Sequence, residues 1–164
     1  MTHHPAIAAG RTAVITGGAG GIGLAAARRF ARLGMNVVIA DVHEDALAAA
    51  ARDIGATPTT GVLTVRVDVG ERADVERLKE RAFAAFGDVA VLMNNAGVGN
   101  GGGPFDNYAG WERVLRTNLW GVINGVQVFS EAMIAQGRPA AIINTGSKQG
   151  ITTPPGDTAY NVSK

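Results

Sequence analysis

Residues 11–34 read RTAVITGGAGGIGLAAARRFARLG, and their order decides the fold. Arg11–Thr16, built around Val14-Ile15, has the apolar, β-branched character of a strand. Gly20–Leu33 places Ile22, Ala26, Phe30 and Leu33 on one helix face, and Gly34 supplies the stop. Between them lies Thr16-Gly17-Gly18-Ala19-Gly20-Gly21-Ile22-Gly23. A strand that enters a helix through such a turn presents bare backbone amides at a helix N-terminus, where the dipole favours an anion. Glycine lets the chain turn sharply and lets a phosphate approach without a Cβ in the way.

Working outward, short apolar runs alternate with longer helical patterns. Asn36–Asp41, Val62–Asp68, Val89–Asn94 and Ala140–Asn144 read as strands. Glu44–Ile54 and Glu71–Phe86 read as helices, the latter with Val75, Leu78, Ala82 and Phe86 inward. Trp111–Gln136 reads as one long helix, and Thr158–Lys164 begins another. This alternation predicts an α/β domain: a doubly wound parallel sheet of about five strands, a Rossmann fold, spanning 1–164 as a single unit. The near-continuous apolar strands agree, because parallel strands are covered on both faces. Gly99–Pro104 reads as a flexible loop after the fourth strand.

Composition removes several classes of function. Of the 164 residues 46% are hydrophobic and 18% charged, as in ordinary globular proteins. A net charge of +1 gives no field for nucleic acid or an anionic membrane. With no cysteine there are no disulfides, thiolate metal sites or thiol nucleophiles. There is no signal-peptide pattern and no apolar run long enough to span a bilayer, so the expected location is cytoplasmic. His3 and His4 read as a frayed terminus rather than a metal site.

Asp41 closes the second strand, 24 residues beyond Gly17. Its carboxylate can accept both ribose hydroxyls of an adenosine and would repel a 2′-phosphate, which favours NAD over NADP; the plainer reading is a strand-to-helix cap. Asp68-Val69 closes the third strand, where Asp68 can bond an adenine amino group and Val69 cover the ring, or Asp68 can cap the next helix. Asn94-Asn95-Ala96-Gly97 puts two amides in tandem at the carboxyl end of the fourth strand, where ligands sit in such sheets. Tyr160 and Lys164, four apart, share a helix face and set a phenol beside a cation.

Taken together, these residues resemble the short-chain dehydrogenase/reductase family over essentially the whole chain. Thr16-Gly17-x-x-x-Gly21-x-Gly23 matches its cofactor motif, and the presence of Gly20 also fits the spacing of the family's extended branch. Asn94-Asn95-Ala96-Gly97 matches its sheet-stabilising motif and favours the simpler oxidoreductase branch. Asn118, Ser147 and Tyr160-x-x-x-Lys164 match its active-site residues. The resemblance implies hydride transfer between a nicotinamide cofactor and an alcohol or ketone. It makes Tyr160 the general acid or base and gives Lys164 two tasks, supplying a neighbouring ammonium and reaching the nicotinamide ribose. Ser147 orients the substrate oxygen, and Asn118 positions a relay water. Gly17, Gly20, Gly21, Ile22, Gly23, Asp41, Asp68, Val69, Asn95, Ala96 and Gly97 complete the cofactor set. The plainer roles are a turn for Ser147 and a back-bonded side chain for Asn118. Lys148 departs from the small residue expected beside Ser147. Trp111 and Trp120 suit a core or a dimer interface, and a homo-oligomer is expected.

The sequence stops at Lys164. The expectation is a chain truncated after the Tyr-Lys pair, lacking the sixth and seventh strands. Such a chain keeps adenosine binding and has impaired turnover; the alternative function is a nucleotide-binding fragment or interaction module.

Overall fold

The computed structural model describes residues 4–55 and 60–164; His3 lies outside the described residues. Five strands, β1 (Thr12–Thr16), β2 (Asn36–Asp41), β3 (Val62–Arg66), β4 (Val91–Asn94) and β5 (Ala141–Asn144), form one sheet in the order β3-β2-β1-β4-β5. Every neighbouring pair is parallel, with Val14 opposite Val38 on one side and Leu92 on the other. Strand order reverses at β1, so the crevice between the ends of β1 and β4 is the topological switch point at which doubly wound sheets bind ligands.

Side-chain alternation divides the core into two layers. Ala13, Ile15, Val37, Ile39, Val91 and Met93 face one way and pack with Phe30 of α1 (Gly21–Arg32) and Leu47 and Ile54 of α2 (Glu44–Ile54). Val14, Val38, Val65 and Leu92 face the other way. They meet Val75, Leu78 and Ala82 of α3 (Arg72–Phe86) and Val128, Phe129 and Met133 of the later α5 (Gly121–Ala135). Both faces of the central strands are thus dry, which is why β1 and β2 read as unbroken apolar runs.

At the N-terminal ends of the strands, opposite the crevice, Arg11 and Asp88 form a buried ion pair between side chains only 7% and 10% exposed. Thr12 Oγ1 donates to the same carboxylate at 3.1 Å, and Arg11 Nη1 donates to Pro139 O at 3.2 Å. One carboxylate therefore joins the starts of β1, β4 and β5.

Three expectations are corrected. Ile22 does not face the core: it is 67% exposed. The inward stripe of α1 is instead Gly23, Ala27, Phe30 and Ala31, because the first turn presses Gly23 against the preceding loop. The long helix is not continuous. It starts at Tyr108, where the Asn107 side chain accepts from Gly110 N, and runs as α4 (Tyr108–Leu115), a π-helical turn (Arg116–Trp120) and α5. A short helix, α6 (Gln149–Thr152), lies ahead of α7 (Thr158–Ser163). The loop of residues 99–104 is tied down rather than loose. Asp157 accepts from the amides of Asn100 and Gly101, and Arg113 donates to the carbonyls of Gly99 and Asn100.

Candidate active site

The crevice is a cleft of about 570 Å³ whose lining includes Gly17, Gly20, Ile22, Asp41, Asp68, Val69, Asn95, Ala96 and Gly97. The structure therefore gathers residues from four separate strand ends.

At its floor, Thr16 locks β1 to β4. The Thr16 hydroxyl donates to Met93 O at 3.4 Å and accepts from the amides of Asn95 and Ala96 at 3.0 and 3.2 Å. Asn95 Nδ2 donates back to Thr16 O and Gly17 O at 3.1 and 3.3 Å. These bonds leave the glycines with two different tasks. Gly17 has φ +63°, and a Cβ there would lie 2.9 Å from Ala96 Cα; a Cβ on Gly23 would lie 2.2 Å from Gly17 O. Those two are required by the protein's own packing. Beside Gly20 and Gly21 there is open space. The first turn of α1 holds no acidic residue, and no side chain caps it, so its amides remain available to an anion.

That division gives a test. Gly23→Ala should lower stability by about 1–3 kcal/mol through overpacking, whereas Gly20→Ala should fold like the parent. Thermal melts of the two variants check this; equal behaviour would refute the division.

The Asp41 carboxylate stands at the rim. Oδ1 meets the backbone N–H and the ring Nδ1 of His43 at 3.3 and 3.0 Å, and Oδ2 accepts from Ala19 N at 3.4 Å. The Asp68 carboxylate has two partners. Oδ1 accepts from Gly70 N at 2.9 Å and Oδ2 from Arg116 at 2.7 Å, which leaves lone pairs on both oxygens. Its own N–H donates to Asp74 Oδ2 at 2.9 Å, and that bond holds the Asp74 carboxyl below the usual carboxylate range. Val69 packs its side chain on Gly121, where a Cβ would meet Val69 Cγ2 at 2.6 Å.

Just beyond Gly97, at the edge of the cleft rather than among its lining residues, the polar groups are held from several sides. Asn118, 2% exposed, sits in the π-helical turn. Its Oδ1 accepts from Val98 N at 2.8 Å; its Nδ2 donates to Val98 O and to Ser163 Oγ, each at 2.9 Å. The Ser163 hydroxyl in turn donates to Tyr160 O at 2.8 Å. Lys164 Nζ lies 5.6 Å from the centroid of the Tyr160 ring and donates to Thr145 O at 3.2 Å. Burial holds the Lys164 ammonium below the ordinary lysine range. A Cβ on Gly97 would stand 3.5 Å from Asn118 Oδ1 and 3.6 Å from Lys164 Nζ, so these three residues converge beyond the end of β4. Ser147 Oγ accepts from Gln149 N at 3.2 Å at the start of α6, which packs against α7. Sequence reasoning did not single out Ser163 or the Thr16 hydroxyl. Ser163 lies three residues from Tyr160 on the same helix side, which was the available signal.

Among the described residues no cluster of His, Cys, Asp or Glu could hold a metal ion, and no helix is long and apolar enough to cross a membrane.

Residues 11–164 match the family model for short chain dehydrogenase. The chain is 38% identical over 164 residues to 3beta-hydroxysteroid dehydrogenase 2 of Eggerthella lenta, covering 99% of this chain and 62% of that protein. It is 40% identical over 162 residues to 1-deoxy-11-beta-hydroxypentalenate dehydrogenase of Streptomyces exfoliatus, covering 94% of this chain and 57% of the relative. A solved short chain dehydrogenase/reductase from Burkholderia phymatum in complex with NAD superposes with a TM-score of 0.92 at 41% identity, covering 99% of this chain and 57% of that one. The chain thus spans less than two thirds of the length of these relatives.

Proposed function

The chain belongs to the short-chain dehydrogenase family, and from that premise we propose that it transfers hydride between NAD and an alcohol or carbonyl substrate, with Tyr160 as acid or base. The observation that carries this reading is the Lys164 ammonium lying 5.6 Å from the Tyr160 ring centroid and beside Gly97, which lines the glycine-rich cleft.

The residues present fit such a cofactor. Uncapped amides at the start of α1 and open space at Gly20 and Gly21 suit a pyrophosphate. Asp41 suits an adenosine ribose, and Asp68 and Val69 suit the adenine. Asn95, Ala96 and Gly97 line the floor toward Tyr160, and Ile22 projects from the first turn into the same cleft. NAD, when bound, supplies the hydride chemistry.

The chain's own residues handle the proton. Tyr160 gives a proton to a substrate oxygen in reduction and takes one in oxidation. Lys164 favours the ionised phenol by its charge, and it is held there by Thr145 O. Ser147 orients the substrate oxygen from the start of α6. Asn118, fixed by Val98 and Ser163, places the π-helical turn against the Tyr160 helix, where a water can connect Lys164 to solvent. NADH binding without turnover on any member of a ketone and alcohol panel would sink the proposal.

The cofactor reading makes its own prediction. Asp41→Ala should raise NADPH affinity relative to NADH by about tenfold or more, since a like charge beside a 2′-phosphate costs at least ~1.4 kcal/mol. Fluorescence titration with both nucleotides measures the ratio, and a parent that already prefers NADPH refutes the assignment. We also propose a homo-oligomer joined along α4 and α5. Tyr108, Leu119, Trp120 and Ile134 are exposed there, while Trp111 is half-buried and donates through Nε1 to Gly103 O.

A further inference from the structure

We propose that Asp157 and Arg113 are positioning residues for Tyr160, acting by gripping two consecutive peptide groups of the loop after β4 between a carboxylate and a guanidinium. The proposal rests on the reading of Tyr160 as the acid or base. Tyr160 is carried by α7 (Thr158–Ser163). Its N-cap is Asp157, yet the Asp157 side chain makes no bond to its own helix. Instead Oδ2 accepts from Asn100 N at 3.2 Å and Oδ1 from Gly101 N at 3.0 Å.

The opposite edges of the same peptide groups are held from α4. Arg113 Nη2 donates to Gly99 O at 3.0 Å and to Asn100 O at 3.2 Å. The Gly99–Asn100 peptide therefore turns its C=O toward a cation and its N–H toward an anion, and so does the Asn100–Gly101 peptide. Each charge is placed where the peptide dipole is favourable, and charge-assisted bonds of this kind are roughly twice as strong as neutral ones. The register is completed by Thr158 N donating to Gly102 O at 3.1 Å. Ala159, fully buried, presses on Gly101, where a Cβ would lie 2.4 Å from that of Ala159.

The clamped loop passes beside the phenol ring. A Cβ built at Gly99 would stand 3.4 Å from Asp157 Oδ2 and 4.0 Å from Tyr160 Cδ2. The gripped loop thus flanks one edge of the Tyr160 ring, while Asn118 and Ser163 hold the backbone of the same helix from another side. Release of the loop frees that edge of the ring.

The test uses the full-length protein with Asp157→Ala, Asp157→Asn, Arg113→Ala and the double alanine variant. Amide hydrogen exchange at Asn100, Gly101 and Asn161, whose N–H donates to Asp157 O at 3.0 Å, is read beside kcat at saturating NADH and ketone, and beside NADH affinity. Asp157→Ala should speed exchange at all three amides and lower kcat by about 10–100-fold, the cost of a misplaced catalytic group, with NADH affinity unchanged. Asp157→Asn, which keeps one acceptor oxygen, should fall between. The double variant should be no worse than the poorer single one, because both side chains act on the same peptides. Faster exchange with kcat unchanged overturns the proposal, as does exchange unaltered at Asn161. If the parent reduces no carbonyl at all, the oxidoreductase reading fails by itself, and exchange at Asn161 still decides whether the clamp holds that helix.

Discussion

Tyr160→Phe should lower turnover by about 10²–10⁴-fold, the usual worth of a positioned acid or base, while NADH binding and the melting temperature stay near those of the parent. Phe keeps the ring beside Lys164 Nζ and removes only the hydroxyl, so lost packing cannot explain a lost rate. Lys164→Met separates the partner's role. Folding lowers the Lys164 pKa by burial, so the folded state disfavours its charged form. That opposition is full at neutral pH and disappears as pH rises through the lysine range. Lys164→Met should therefore leave stability unchanged or improved at neutral pH and still remove turnover. Steady-state kinetics and thermal melts on the two variants check both statements, and near-parental turnover by Tyr160→Phe would end the acid-base assignment.

Asp88→Ala should cost about 3–5 kcal/mol, the penalty for leaving one partner of a buried ion pair without the other. The substitution strands Arg11, whose Nη2 already lies buried without a partner, and removes the acceptor of Thr12 Oγ1. Because this carboxylate joins the starts of β1, β4 and β5, the loss falls on the sheet as a whole. The neighbouring Arg138 is the control. It lies 3.9 Å from the same carboxylate with its side chain 58% exposed, so Arg138→Ala should cost less than ~1 kcal/mol. Replacing both Arg11 and Asp88 by apolar residues of similar size should recover most of the stability. Urea unfolding of the four proteins measures this, and a cost below ~1 kcal/mol for Asp88→Ala would show that Arg11 needs no partner.

Much of the architecture was legible because its causes are local. Val14-Ile15, Asn36–Asp41 and the runs ending at Asp68 and Asn94 are apolar on both faces, which only a covered parallel sheet tolerates. Glycines at the helix ends marked where each crossover turns. Ile22 was misjudged because a helical period says which residues share a face but not where the first turn meets a ligand cleft. The break in the long helix escaped because a π-helical turn adds one residue without disturbing the apolar pattern on either side. Loop 99–104 looked loose because four of its first five residues are glycine, and the charges that hold it, Arg113 and Asp157, lie 13 or more positions from the residues they bond.

The sequence by itself determined the strand-helix alternation, the glycine turn, the acid at Asp41 and the Tyr160–Lys164 spacing, since each depends on neighbours within one or two turns of chain. Tertiary structure alone decided which glycines serve packing and which leave room, that Asn118 is held by Val98 and Ser163, and that Arg11 and Asp88 pair across 77 residues. Those outcomes depend on where distant backbone atoms come to lie once the sheet has closed, and no local period in the chain encodes that.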